Sequence, residues 1–143
     1  MLVTTKGRYA LQVMIDLAEH YSSKCIPVKD IAGRQKLSVK YLEQIMPVLT
    51  KGDLVFGVHG KNGGYRLKRP PESYNVGEIL RIAEGDLVPV SSMKESDRSD
   101  GTQPDDSRTM KMWQDFYKMT NDYFDGITIA SLIQSGTDYD YVI

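Results

Sequence analysis

The sequence predicts a mainly α-helical chain with one small β-hairpin, followed by a separate long helix. Three observations carry this. Apolar residues recur at helical spacing in three successive stretches of the first fifty positions. Two short β-like runs then flank Gly60-Lys61-Asn62-Gly63-Gly64, and a stripe of large aromatic residues follows a Ser/Asp-rich segment. At 143 residues the chain has the length of one ordinary domain, and with 41% hydrophobic and 26% charged residues it has a globular composition.

In the first helix, over 8–21, Ala10, Val13, Met14, Leu17 and Tyr21 share one face. Ser22, Ser23 and Lys24 break the pattern. A second, short helix covers Val28–Gln35 after Pro27, with Ile31 and Ala32 inward. Lys36-Leu37 forms a turn, and Ser38 is suited to cap a third helix from 39 to about 50. Its buried stripe is Leu42, Ile45, Met46 and Leu49. Pro47 lies inside that pattern and is expected to kink the helix or end its regular part early.

Residues 54–58 and 65–68 read as the strands of a hairpin, because glycine and asparagine at the tip tolerate positive φ. Asn75 and Glu78 have capping-box spacing, so a helix is expected over Val76–Glu84, stopped by Gly85. Residues 91–108 lack apolar periodicity and read as a loop. Met110, Trp113, Phe116 or Tyr117, Thr120, Phe124 and Ile127 then step along a long helix. Thr128 can cap a last short helix over 129–133, before a tail that ends at Ile143. Trp113, Phe116 and Phe124 form more apolar surface than one helix can hide on a small domain, so dimerisation through this helix is expected. The resulting division is 1–85, a linking loop over 86–108, and a dimerisation helix with its tail over 109–143.

The net charge of −1 conceals an asymmetry: residues 1–82 carry 13 Lys/Arg against 7 Asp/Glu, and residues 83–143 carry 5 against 12. A basic half joined to an acidic one points to a polyanion-binding module with an appended unit. No apolar run approaches the ~18 residues that span a bilayer, and no signal-peptide core is present, so no membrane partner is expected and the expected compartment is the cytoplasm. Cys25 is the only cysteine. It is read first as a small apolar filler beside Ile26; the alternative is a reactive thiolate, which the ammonium of neighbouring Lys24 would favour. His20 and His59 lack metal-ligand spacing. The Gly-rich segment precedes a strand rather than opening a helix, so it is no nucleotide cradle, and no nucleophile–base pattern is present. An enzyme is not expected.

Three short helices followed by a glycine-tipped hairpin is the winged helix-turn-helix plan, in which the third helix enters the major groove of double-stranded DNA. That helix would expose Ser38, Val39, Lys40, Tyr41, Glu43 and Gln44. Gln44 can pair in two places with adenine, Glu43 can accept from cytosine N4, and Lys40 can reach guanine or phosphate. Lys6, Arg8, Lys61 and Arg66 suit phosphates, with His59, Gly60 and Asn62 completing the wing's contact surface.

Thr5-Lys6-Gly7-Arg8-Tyr9-Ala10, Ser38-Val39-Lys40-Tyr41-Leu42-Glu43-Gln44, Gly60-Lys61-Asn62-Gly63-Gly64-Tyr65, Val76-Gly77-Glu78-Ile79-Leu80-Arg81 and Glu84-Gly85 occur in that order. In these motifs the chain resembles the IscR/NsrR/CymR family of bacterial transcription regulators, over essentially its whole length. The resemblance implies a homodimer, with the long helix crossing its partner and two winged units reading a palindromic operator. It further implies a role, as a repressor, in iron–sulfur, cysteine or redox metabolism.

The iron–sulfur members of that family hold their cluster through three cysteines, in a loop reading roughly Pro-Val-x-Cys at its start and Cys-x-Thr-x-x-x-Trp at its end. Here Pro89-Val90-Ser91-Ser92 and Ser107-Arg108-Thr109-Met110-Lys111-Met112-Trp113 match those segments, so Ser92 and Ser107 occupy cysteine positions and Ser99 is the third candidate. A protonated hydroxyl is a poor ligand in a site built for thiolates, so no cluster is expected. Deliberate Cys→Ser replacement and natural loss both produce this pattern. The cluster-free relatives imply two other control routes: oxidation of Cys25, or docking of cysteine synthase on a tail ending in isoleucine.

Overall fold

The computed structural model describes residues 3–90, 93 and 107–142, with 136–142 as backbone only. The elements run α1 (Thr5–Glu19), α2 (Val28–Gln35), α3 (Val39–Lys51), β1 (Val55–Val58), β2 (Gly64–Leu67), a 3₁₀ turn at Pro71–Ser73, α4 (Val76–Glu84), α5 (Ser107–Asp125) and α6 (Ile129–Val142). The mainly helical class with one antiparallel hairpin is as the sequence predicts. β1 pairs with β2 in the register Val55–Leu67 to Val58–Gly64.

One apolar core unites the helices and the hairpin. Ala10, Val13, Met14 and Leu17 of α1 meet Ile31 of α2, the stripe Leu42, Ile45, Met46 and Leu49 of α3, and Leu54, Val55 and Leu67 of the hairpin. Ile79 of α4 and Ile129 of α6 complete it. α6 is fixed there by backbone pairing, with the Val76 amide donating to the Ile127 carbonyl at 2.8 Å and the Ile129 amide to the Tyr74 carbonyl at 3.0 Å. The chain therefore leaves the first unit through α5 and returns to it.

Four expectations need correction. Tyr21 is exposed rather than on the buried face of α1, because that helix ends at Glu19 and turns at its C-cap, His20. Pro47 neither ends nor shortens α3, which continues to Lys51. Its apolar stripe is buried on both sides of the proline, and that packing offsets the lost backbone hydrogen bond. α5 begins at Ser107, so the last two residues assigned to the loop are helical. The final helix extends to Val142 rather than stopping near residue 133. Thr128 does cap it, its hydroxyl accepting from the Ser131 amide at 3.0 Å.

Tyr74 ties the base of the hairpin to this core. Its ring is fully buried, and its hydroxyl donates to the Leu54 carbonyl at 2.7 Å while accepting from the Lys68 and Arg69 amides at 3.0 and 3.1 Å. The Arg69 guanidinium stacks over the ring at 4.2 Å. Removing the hydroxyl strands a buried carbonyl and two amides. Tyr74→Phe is expected to lower stability by about 1–3 kcal/mol, read as a lower urea midpoint with an unchanged slope.

Candidate nucleic-acid interface

α3 presents its polar face because its apolar face is consumed by the core. Ser38 caps it, the hydroxyl accepting from the Tyr41 amide at 3.0 Å. Ser38, Val39, Lys40, Glu43 and Gln44 are exposed together on one side, and Tyr41 is half-buried. Tyr41 stands edge-on to Tyr9 of α1, with ring centroids 5.2 Å apart at 87°. Lys6, Tyr41, Gln44 and Ile45 line a shallow depression between α1 and α3. Lys6 thus borders the proposed base-reading surface, whereas Arg8 is exposed on α1 without joining that depression.

Two carboxylates hold the frame in place: Asp16, which no sequence pattern marks, and Glu84, whose motif with Gly85 carries the resemblance but does not reveal its partners. Asp16 is buried on α1 and accepts from Arg34 Nε and Nη2 at 2.9 and 2.8 Å, and from Gln35 Nε2 at 3.0 Å. This bidentate pair locks α2 against α1 and raises the Arg34 pKa above its ordinary value, chiefly through the hydrogen bond to Asp16. Glu84, at the end of α4, caps α1 from outside: Oε1 accepts from the Thr4 and Gly7 amides at 3.0 and 2.7 Å and from the Thr4 hydroxyl at 2.6 Å. A Cβ on Gly7 would sit 2.5 Å from that oxygen, so the cap needs glycine.

The wing is tied to the α1–α2 link by an isolated β-bridge. The Ile26 amide donates to the Tyr65 carbonyl at 2.8 Å, and the Tyr65 amide returns the bond at 2.9 Å. Its tip turns on Gly60, at φ +108°, whose carbonyl accepts from the Gly63 amide at 3.0 Å. Lys61 and Asn62 are exposed at that tip. Exposed His59 borders a groove with Pro47, Thr50 and Lys51 of α3 and with Gly57 and Tyr65 of the strands. Lys51 therefore joins the basic surface where helix and wing meet. Its place at the last turn of α3 gave no sequence signal beyond its charge. Arg66 stacks over Phe56 at 4.8 Å on the outer side of the hairpin, half-buried rather than extended.

α5 divides its apolar residues between two faces. Phe124 packs with Val76, Leu80 and Leu87 of its own chain. Trp113 and Tyr117 are half-buried, and the Tyr117 hydroxyl donates to Asp86 Oδ1 at 2.6 Å, which with burial raises the phenol pKa. Of the two neighbouring aromatics, Tyr117 faces inward. Arg81 of α4 binds Asn121 and Asp125 at 2.9 and 2.7 Å, an arrangement that a Cβ on Gly77 would disrupt at 1.8 Å from Asp125 Oδ1. The other face carries Met112, Phe116, Met119 and Tyr123, which are 52, 41, 64 and 66% exposed.

Of the serines matched to cluster-ligand positions, Ser107 is the exposed first residue of α5, and Ser92 and Ser99 lie outside the described residues, as does Ile143. Cys25 is half-buried in the α1–α2 link, where it borders wing residues rather than the start of α5. Among the described residues no three His, Cys, Asp or Glu side chains gather into a metal site. None of the described helices is long and apolar enough to cross a membrane.

The chain matches the Rrf2 family, described as iron-dependent transcriptional regulators, over residues 3–135. It is 33% identical to the HTH-type transcriptional regulator IscR of Vibrio campbellii over 134 residues, covering 94% of this chain and 78% of that protein. Among solved structures it is similar to CymR, the global cysteine regulator of B. subtilis, with a TM-score of 0.77 and 29% identity over 94% of this chain and 98% of that one. IscR of T. potens is 37% identical, with a TM-score of 0.74 over 95% of this chain and 88% of that one. By the family match over most of its length and by these likenesses, the chain belongs to the Rrf2 family of winged-helix transcriptional regulators, a family of DNA-binding proteins and not of enzymes.

Proposed function

We propose that this regulator binds a palindromic operator as a homodimer and acts as a repressor in iron–sulfur, cysteine or redox metabolism. The observation that carries the operator reading is the exposed row of Ser38, Lys40, Glu43 and Gln44 on α3, flanked by Lys6 on one side and by His59 and Lys51 on the other. Gln44 and Glu43 can read base edges, Lys40 can reach guanine or phosphate, and Lys6, Arg8 and Lys61 sit where phosphates would pass. Met112, Phe116, Met119 and Tyr123 supply the dimer seam.

A duplex-binding titration tests this reading. Palindromic sites with half-sites about one helical turn apart, ~34–36 Å, should outcompete scrambled duplexes at moderate salt. Gln44→Ala should lose about 1–3 kcal/mol of discrimination at one base position, while Lys61→Ala should weaken all duplexes alike and flatten the salt slope by about one unit. Equal effects of the two substitutions would undo the division between base-reading and phosphate-binding residues.

We further propose that this chain works without an iron–sulfur cluster, supported by its donor set. The positions matched to ligands carry hydroxyls, and the one thiol lies on the α1–α2 link. Control through Cys25 is the favoured signal, since that residue borders the wing-tip lysine across a cleft. Oxidised CymR of Staphylococcus aureus, 33% identical with a TM-score of 0.71, covers 93% of this chain. Docking of cysteine synthase on the tail is the second route and rests on the family resemblance.

A further inference from the structure

A cleft lies between the α1–α2 link and the tip of the wing. Its volume is about 610 Å3, within the ~300–1,000 Å3 typical of small-molecule sites and more than one phosphate group needs. Ser23, Lys24, Cys25 and Pro27 form one wall, and Val58, Lys61, Asn62 and Gly63 the other. The lining thus combines two lysines, a serine and an asparagine with the apolar Pro27 and Val58, and no carboxylate is part of it. Lys68, Lys111 and Lys118 are ion-paired, whereas Lys24 and Lys61 have no acidic partner among the described residues. Lys24 is presented by an ordered turn, its amide donating to the Ser22 hydroxyl at 3.1 Å.

We propose that this cleft binds a small organic dianion, a dicarboxylate or a phosphorylated organic acid, with one anionic group on Lys24 and the other on Lys61. Asn62 and Ser23 supply neutral hydrogen bonds, and the carbon skeleton lies against Pro27 and Val58. An occupant spans the link and the wing tip. It therefore draws Lys61 away from a DNA phosphate, and by linkage the dianion and DNA weaken each other's binding. This consequence rests on the operator reading; dianion binding itself does not, and it is tested without DNA.

Phosphoenolpyruvate and succinate are titrated into the isotope-labelled full chain, with the uncharged diamide of succinate as control. The expected result is saturable shifts of the Ser23, Lys24, Asn62 and Gly63 amides with the acids and none with the diamide. Affinity should be about tenfold weaker in Lys24→Ala, the size of one charge-assisted hydrogen bond. Lys24 is exposed and outside the core, and Lys24→Gln serves as a second variant. Non-saturating shifts spread over Lys6, Lys40 and Lys61 alike, or wild-type affinity retained in both variants, would overturn the site. Shifts of these amides by a DNA duplex but by neither acid would assign the cleft to the nucleic-acid backbone and equally overturn it. With a duplex present, the acids should lower the DNA affinity of the wild type several-fold, and that of Lys24→Ala only at about tenfold higher acid concentration. Dianion binding with no effect on DNA would keep the site and remove only its coupling to the wing.

Discussion

Gly64→Ala is expected to detach the wing from the helical core and to lower stability by about 2–6 kcal/mol, a large share of a typical domain's ~5–15 kcal/mol. Gly64 has φ +149°, and a Cβ there would lie 2.3 Å from the Ile26 carbonyl oxygen and 2.8 Å from the Pro27 nitrogen. Both are backbone atoms, so no rotamer change relieves the clash. The link must move, and the reciprocal Ile26–Tyr65 hydrogen bonds break with it. Gly60→Ala is the control: its φ of +108° is also strained for alanine, but open space surrounds it, so only the conformational cost remains. Amide exchange should show loss of protection at Ile26 and Tyr65 in Gly64→Ala and not in Gly60→Ala. Equal stability of the two variants would show that close packing against the link is not what positions the wing.

That position requires glycine for a reason invisible in the sequence. A Gly-rich hairpin tip is legible from local chain chemistry; contact with a segment 38 residues earlier is not. The same division holds elsewhere. Val28–Gln35 and Val76–Glu84 were read with their true ends because their boundaries are written locally, in Pro27, in the Asn75–Glu78 capping box and in Gly85. Pro47 misled because the packing that outweighs it comes from other elements. The contacts of Asp16 and Glu84 are illegible in the sequence because their partners are 18 and up to 80 residues away. Phe116 and Tyr117, adjacent in sequence, are only about 100° apart on a helix, so periodicity alone left both open. The Asp86 carboxylate on Tyr117 separates them. For the nucleic-acid surface, the α3 row was legible because an apolar stripe defines its opposite face, while Lys51 and Lys24 acquire a place only once the wing folds beside them.

Phe116→Asp combined with Met119→Asp is expected to convert the proposed dimer to monomer while leaving each subunit folded. Met112, Phe116, Met119 and Tyr123 step by four, three and four, the spacing of a helix–helix seam, and all are exposed on the single chain. Ion pairs Lys111–Asp115 and Lys118–Asp122 lie along the same helix, each one turn apart, and suit the solvated rim of such a seam. Phe124 was named with Phe116 as a dimer residue, but its contacts with Val76, Leu80 and Leu87 are within its own chain. Phe124→Asp should therefore lower subunit stability by about 1–3 kcal/mol, because a charge replaces half-buried apolar packing, with any dissociation following from unfolding. Sedimentation velocity and thermal unfolding together separate the cases. The double variant should sediment as monomer and keep native secondary structure, and its melting temperature should no longer depend on concentration. Its affinity for a palindrome should fall by about 10²–10⁴-fold, because the second half-site is no longer bound intramolecularly. A double variant that remains dimeric would move the interface off this face of α5 and leave those four exposed side chains without a role in assembly.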